Sequence, residues 1–280
     1  MPKETRGFIT ILTGLYSFQD CVHFLAAVRK FHQEPIIILI DQVPKILYPF
    51  LTAFKHVTLK PAPANANTVL ASRQAKLALY ESSDFDKTIY LDSDICLLDN
   101  INDVFEYLDE YDCLLTEDVQ PYIVKATNLI RGNQEENLHQ VLPILQSVGL
   151  PLKEDSIQYN GGFLAFRKTE TTKKLFDEFK RYFEIVKDNQ EKLLLKDQGA
   201  FASAIATVCP KMKVLPHTYN YLSKWKDAYN VDEPIKVLHC TYPYRPQYAK
   251  DVTRSFYTRV FDRLAKLFLP NQVTNPWRVK

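Results

Sequence analysis

Short apolar runs, rich in β-branched side chains, recur along the chain. They are FITILT (8–13), PIIILID (35–41), HVTLK (56–60), KTIYLD (87–92) and DCLLTE (112–117), followed by GGFLAF (161–166), MKVLP (212–216) and IKVLHC (235–240). Runs this short and continuous predict strands covered on both faces, as in a largely parallel sheet. Between them the period changes. Phe18, Cys21, Val22, Leu25 and Val28 recur at helical spacing, as do Leu175, Phe176, Phe179, Tyr182, Phe183 and Val186. Strands alternating with helices predict an α/β architecture, a mainly parallel sheet flanked by helices. The Pro/Ala/Asn stretch KPAPANAN (60–67) is too short to divide domains. The expected organisation is one domain over residues 1–250 and a C-terminal helical extension over 251–280. In that extension Phe256, Val260, Phe261, Leu264 and Leu267 form an apolar stripe, with Arg259, Arg263 and Lys266 largely outside it. Such a helix packs on its own domain or on a second copy of the chain as a homodimer, or lies on an anionic membrane as a peripheral contact.

Composition narrows the picture. With 280 residues, 46% of them hydrophobic, the chain can bury a sizeable core. A net charge of +2 gives no electrostatic reason to expect a nucleic-acid partner. Glycine is scarce at 7 residues, and neither a Gly-x-Gly-x-x-Gly nor a Walker-type loop is present. The five cysteines are scattered, odd in number and without a Cys-x-x-Cys, which fits a reduced, cytoplasmic chain. The first residues lack the apolar run of a signal peptide, and no stretch is long and apolar enough to span a membrane.

The chemistry concentrates where KTIYLD ends in Asp92-Ser93-Asp94. Side chains alternate along a strand, so two acids two residues apart point the same way if the chain stays extended. In open α/β sheets ligands bind beyond the carboxyl ends of strands. Two like charges this close repel unless a cation lies between them. A hard divalent ion with oxygen ligands, Mn²⁺ or Mg²⁺, suits them and leaves positions for phosphate oxygens. The plainer alternative is a solvated turn, for which Asp and Ser are also well suited.

FDKTIYLDSDICLLDNINDVF (85–105) resembles the metal-binding segment of nucleotide-sugar glycosyltransferases, above all the glycogenin-like family 8 of retaining enzymes, whose fold is the Rossmann-like GT-A. Further blocks follow in the family's order. In ASRQAKLALYE, Lys76 stands 16 residues before Asp92 and Arg73 one helical turn earlier. The resemblance implies that they meet the diphosphate or donor sugar. SIQYNGGFLAFRKT resembles the Asn-x-Gly segment, implying that Asn160 bonds a sugar hydroxyl while Gly161 and Gly162 admit close backbone approach. LLLKDQGAFASAI resembles the Asp-Gln block. Asp197 is then a helix N-cap and sugar ligand, and Gln198 lies near the anomeric carbon. VLPHTYNYLSKW resembles the Leu-Pro…Tyr-Asn segment, and Tyr219, Tyr221 and Trp225 are candidates for an aromatic acceptor platform. KVLHCTYPYRPQ places His239 as a third metal ligand and Arg245 where the family has its diphosphate lysine. Tyr242 and Pro243 depart from the family's glycine-containing turn there. After the first strand, Tyr16 is placed to stack on the base and the Thr13 and Gly14 backbone to read its edge, although the family's Asn/Asp-x-x-Tyr is not reproduced.

The resemblance therefore implies a metal-dependent glycosyltransferase. Its donor is a nucleotide-diphosphate sugar, UDP-linked in the family, and its acceptor a saccharide, glycolipid or other small molecule. Retention of anomeric configuration is expected. Asp197 is a candidate nucleophile for a double displacement, and Gln198 a stabiliser for a front-face reaction. The rival readings are a metal-dependent nucleotidyltransferase and an inactive sugar- or nucleotide-binding module. LTGLYSFQD lacks the basic, glycine-rich loop of the first, and the full set of acids, His239 and Asn160 argues against the second.

Overall fold

A computed structural model describes residues 4–63, 68–132, 138–229, 231–240 and 246–268. In chain order the elements are β1 (Arg6–Thr13), α1 (Phe18–Phe31), β2 (Ile36–Asp41), α2 (Tyr48–Thr52), β3 (Val57–Pro61), α3 (Thr68–Leu77), α4 (Leu79–Ser82), β4 (Lys87–Leu91) and β5 (Ile95–Leu97). There follow α5 (Asn102–Tyr107), β6 (Cys113–Tyr122), α6 (Val141–Ser147), β7 (Ile157–Arg167), α7 (Glu170–Asp188) and α8 (Gln198–Val208). The last are β8 (Met212–Leu215), β9 (Tyr221–Leu222), β10 (Val237–His239), α9 (Gln247–Thr253) and α10 (Phe256–Phe268).

Seven strands form one sheet in the order β3-β2-β1-β4-β7-β6-β8. All its pairings are parallel except those of β7, which runs against both β4 and β6. The apolar run of β7 carried no sign of this, because a strand covered on both faces looks the same in either direction. Phe8, Leu12, Ile38 and Phe163 turn one face toward α1 and α5. Tyr90, Leu115 and Phe166 face the other way, onto Phe176, Phe179 and Phe183 of α7 and Phe201 of α8. The helical stripes read from α1 and α7 are buried throughout.

Two features depart from the sequence pattern. β7 starts at Ile157 rather than Gly161, and β6 continues through the polar EDVQPY to Tyr122 with two register shifts. Those polar residues have no strand signature of their own and are carried by pairing with Tyr159 and Ile157. A second, three-stranded sheet, β5-β10-β9, lies beside the first. Two of its strands are too short to show a period.

The C-terminal helices lie on α1. Phe261 is buried with its ring 5.9 Å from Phe18 and 5.4 Å from Phe50, and Ala265 is buried beside it. Tyr257 Oη donates to Phe50 O at 2.7 Å. Buried His23 of α1 joins Thr253 Oγ1 through Nδ1 and Asp262 Oδ1 through Nε2, each at 3.0 Å, and Gln19 Nε2 donates to the same Asp262 oxygen at 2.7 Å. Of the apolar stripe Phe261 is buried, Val260 and Leu264 are half-buried, and Phe256 stays 77% exposed. The side chains of Lys266 and Leu267 lie outside the described residues. Phe261→Ala is expected to lower the unfolding free energy by about 3–5 kcal/mol, the cost of emptying a buried phenylalanine site. Urea denaturation measures it, and an unchanged midpoint would mean that α10 does not dock as described.

Candidate active site

The two acids meet through a turn, not along an extended strand. β4 ends at Leu91, the Asp92 N–H donates to Gly162 O at 2.9 Å, and the Ile95 N–H closes back on Asp92 O at 3.1 Å. The chain then enters β5, whose antiparallel partner β10 pairs His239 with Ile95, and the Cys240 N–H donates to Asp94 O at 3.1 Å. This register sets His239 Nε2 3.3 Å from Asp94 Oδ1. One ligand atom from each of Asp92, Asp94 and His239 lies within 4.8 Å of the others. The turn chemistry and the ligand geometry, alternatives in the sequence, coexist here.

His239 is buried, and its orientation is held from behind. Its Nδ1 meets Asn220 Oδ1 at 3.0 Å, while Asn220 Nδ2 donates to Thr116 Oγ1 and Asn160 Oδ1, both at 2.9 Å. With the amide so oriented, Nδ1 donates its hydrogen to Asn220 Oδ1, and Nε2 is the ring atom turned toward the carboxylates. Gly162 leaves room for the ring: a Cβ there would come within 2.6 Å of Nδ1. Burial works against a charged imidazole, but Asp94 and Asp92 outweigh it and raise the pKa of His239. Two carboxylates and an imidazole with an outer hydrogen-bond partner suit Mn²⁺ or Mg²⁺.

Beside this group, Lys76 of α3 lies 3.2 Å from Asp92 Oδ1 and 3.7 Å from Asp197 Oδ2, and donates to Gly161 O at 2.9 Å. Its burial favours the neutral amine, yet Asp92 and Asp197 prevail and its pKa is raised. The buried Tyr90 hydroxyl also donates to Asp92 Oδ1. Asp197 occupies the N-cap position of α8, but its carboxylate makes no capping bond and faces Lys76 instead. The expected cap role is thus corrected: the side chain points into the site. Gln198 Nε2 donates to Asp118 Oδ2 at 2.8 Å, and Asn160 Nδ2 to the same oxygen at 3.1 Å.

Asp118 was absent from the sequence reading. It sits in the polar continuation of β6, outside any block of the resemblance, and only the pairing of β6 with β7 brings it to Gln198 and Asn160. Asn160 has its Oδ1 occupied by Gly162 N and Asn220 Nδ2, so much of its capacity orients other groups. Tyr219 is also reassigned. It is buried, with its hydroxyl between Asp103 and Lys236, and cannot form a platform. Trp225 is 48% exposed, and Tyr221 stacks at 5.0 Å on Tyr229. Thr13 closes β1, Gly14 takes φ 71° and its N–H donates to Asp41 O at 2.8 Å, and Tyr16 is exposed. Tyr242, Pro243 and Arg245 lie outside the described residues.

Acids at strand ends, a partly buried lysine and a carboxylate–amide group thus converge at the end of the sheet. Residues 87–250, more than half of the chain, match the family of nucleotide-diphospho-sugar transferases, and the chain belongs to that family, which makes it a glycosyltransferase. No curated protein matches it in sequence. Among solved structures it is similar to the galactosyltransferase LgtC in complex with donor and acceptor sugar analogues, at 17% identity and TM-score 0.59 over 97% of this chain and 99% of that one. The bifunctional glycosyltransferase WbbM in its apo form gives 14% and 0.62 over 93% of this chain, which spans about half (52%) of WbbM. The glycosyltransferase GlyE of Streptococcus pneumoniae gives 12% and 0.59 over 98% of this chain and 66% of its own. At such identities the likeness is one of fold.

Asn220 ties three strands' worth of polar groups together in the dry floor of the site. Asn220→Ala is expected to cost about 1–3 kcal/mol of stability, since it strands buried partners. Chemical denaturation tests this, and no loss would mean that water replaces the amide.

Proposed function

We propose that the protein is a metal-dependent, retaining glycosyltransferase of the glycogenin-like family 8 type, using a UDP-linked sugar as donor. The observation that carries this is the meeting of Asp92, Asp94 and His239 at the carboxyl ends of β4 and β10, beside a partly buried lysine and two further carboxylates. A divalent cation held by these three residues, Mn²⁺ or Mg²⁺, would neutralise the diphosphate and make the nucleotide a better leaving group.

The chain's own groups do the rest. Tyr16 and the Thr13 and Gly14 backbone receive the base, with Asp92 toward the ribose. Lys76 and, by the resemblance, Arg245 take diphosphate oxygens, each as a charge-assisted contact. Asp197 binds sugar hydroxyls. Gln198, steadied by Asp118, faces the anomeric carbon. Retention follows most simply from a front-face reaction in which the departing phosphate takes the acceptor's proton and Gln198 steadies the oxocarbenium-like centre. Asp197, paired with Lys76 at 3.7 Å, is better suited to hold hydroxyls than to attack carbon. The acceptor is a saccharide or glycolipid, met on the side of Tyr221 and Trp225. Residues 1–250 are the catalytic domain. The free thiols of all five cysteines fit a cytoplasmic setting, and no described helix is long and apolar enough to cross a membrane.

Calorimetry of UDP with and without Mn²⁺ tests the reading. Wild type should bind UDP in a metal-dependent way, and Asp94→Asn should lose that dependence while its melting temperature changes little. Metal-independent binding in both proteins would remove the metal from the proposal. Lys76→Ala should weaken UDP binding by about 1–3 kcal/mol, the scale of a charge-assisted hydrogen bond, and affect UMP less.

A further inference from the structure

The sugar end of the site continues into a small cavity. Lys76, Asn160, Gly161, Asp197 and Gln198 border it on the polar side. Its remaining wall is apolar or aromatic, and includes Leu115 and Leu164, which pair across β6 and β7, and Phe179 and Phe201 from α7 and α8. The volume is about 20 Å³, room for one water or one methyl group. A water there would need two to four polar partners. On its polar rim Lys76 meets Gly161 O and the Asp92 and Asp197 carboxylates, and Gln198 and Asn160 donate to Asp118. Beyond that rim, where Leu115, Leu164, Phe179 and Phe201 line the cavity with carbon, a sugar hydroxyl would give up hydration that these side chains cannot replace. A methyl group would lose nothing and would leave water for carbon-lined space.

We infer that the donor sugar carries a methyl group, at the end of an acetamido substituent or as C6 of a 6-deoxy sugar, and that this cavity receives it. The inference rests on the nucleotide-sugar reading above and adds a discrimination that the reading does not contain. Leu164 is one of the cavity's carbon walls and has no polar atom to offer the polar site.

The test uses the full chain with Mn²⁺ and compares dissociation constants by calorimetry. UDP alone reports on the nucleotide reading. UDP-glucose is set against UDP-N-acetylglucosamine and UDP-6-deoxyglucose, and UDP-galactose against UDP-N-acetylgalactosamine and UDP-fucose. In one series a methyl-bearing donor should bind about 10-fold or more tightly than its parent hexose, the scale of one methyl-sized group in an apolar pocket. Which methyl-bearing donor wins separates the acetamido from the 6-deoxy source. Leu164→Phe, which fills the cavity, should abolish the preference and leave UDP affinity unchanged. Should that variant not fold, Leu164→Ala, which loosens the fit, should reduce the preference several-fold. Equal or tighter binding of the parent hexose in both series overturns the inference, as does a preference that survives filling. Failure of UDP itself to bind removes the nucleotide reading and the inference with it.

Discussion

The site depends on how closely the His239 ring approaches the backbone of β7. Gly162 has no side chain to hold it off, and Asn220 pins the ring's far nitrogen. With the ring in that place, the register of β10 on β5 turns its Nε2 edge toward Asp94. The small sheet thus acts as a jig. It carries one acid-bearing turn and one histidine and presses both against the end of the large sheet. A cluster built this way needs little further ordering to receive a cation, since its ligands are held by backbone pairing and a buried amide.

Charge balance is the second constraint. Asp92, Asp94, Asp118 and Asp197 converge on one region, and the partly buried Lys76 lies against two of them. A buried ammonium would be costly alone, but here it lowers the repulsion among its neighbours. It also divides the site. Asp92 and Asp94 lie on the side of His239, and Asp197 and Asp118 on the side of Gln198. The carbon-lined cavity beside the second group gives that side a shape as well as a charge.

The C-terminal helices bear on the same frame from below. α10 reaches α1 through Phe261 and through the His23–Asp262–Thr253 contacts, and α1 follows directly on the loop that holds Gly14 and Tyr16. Phe261 and Ala265 of the extension are therefore part of the core around the first helix.

Much of this was legible in the chain itself. Short apolar runs and helical stripes determined the strands, the α/β class and the buried faces of α1 and α7, because those patterns record which side chains must leave water. The acids at 92 and 94 stand out by their place at the end of an apolar run, while His239, Lys76 and the Asp197-Gln198 pair come from the resemblance of their blocks, and the fold brings these residues together. What the tertiary structure alone decided is where two strands meet. The reversed direction of β7 does not show in a strand buried on both faces. Asp118 lies in a polar stretch that becomes strand only through its partner. Tyr219 reads as a surface aromatic until Asp103 and Lys236, far away in sequence, enclose its hydroxyl. Local sequence records burial and intrinsic preference. Pairing and enclosure are made by residues distant in the chain, and those contacts assigned Asp118 and Tyr219 their places.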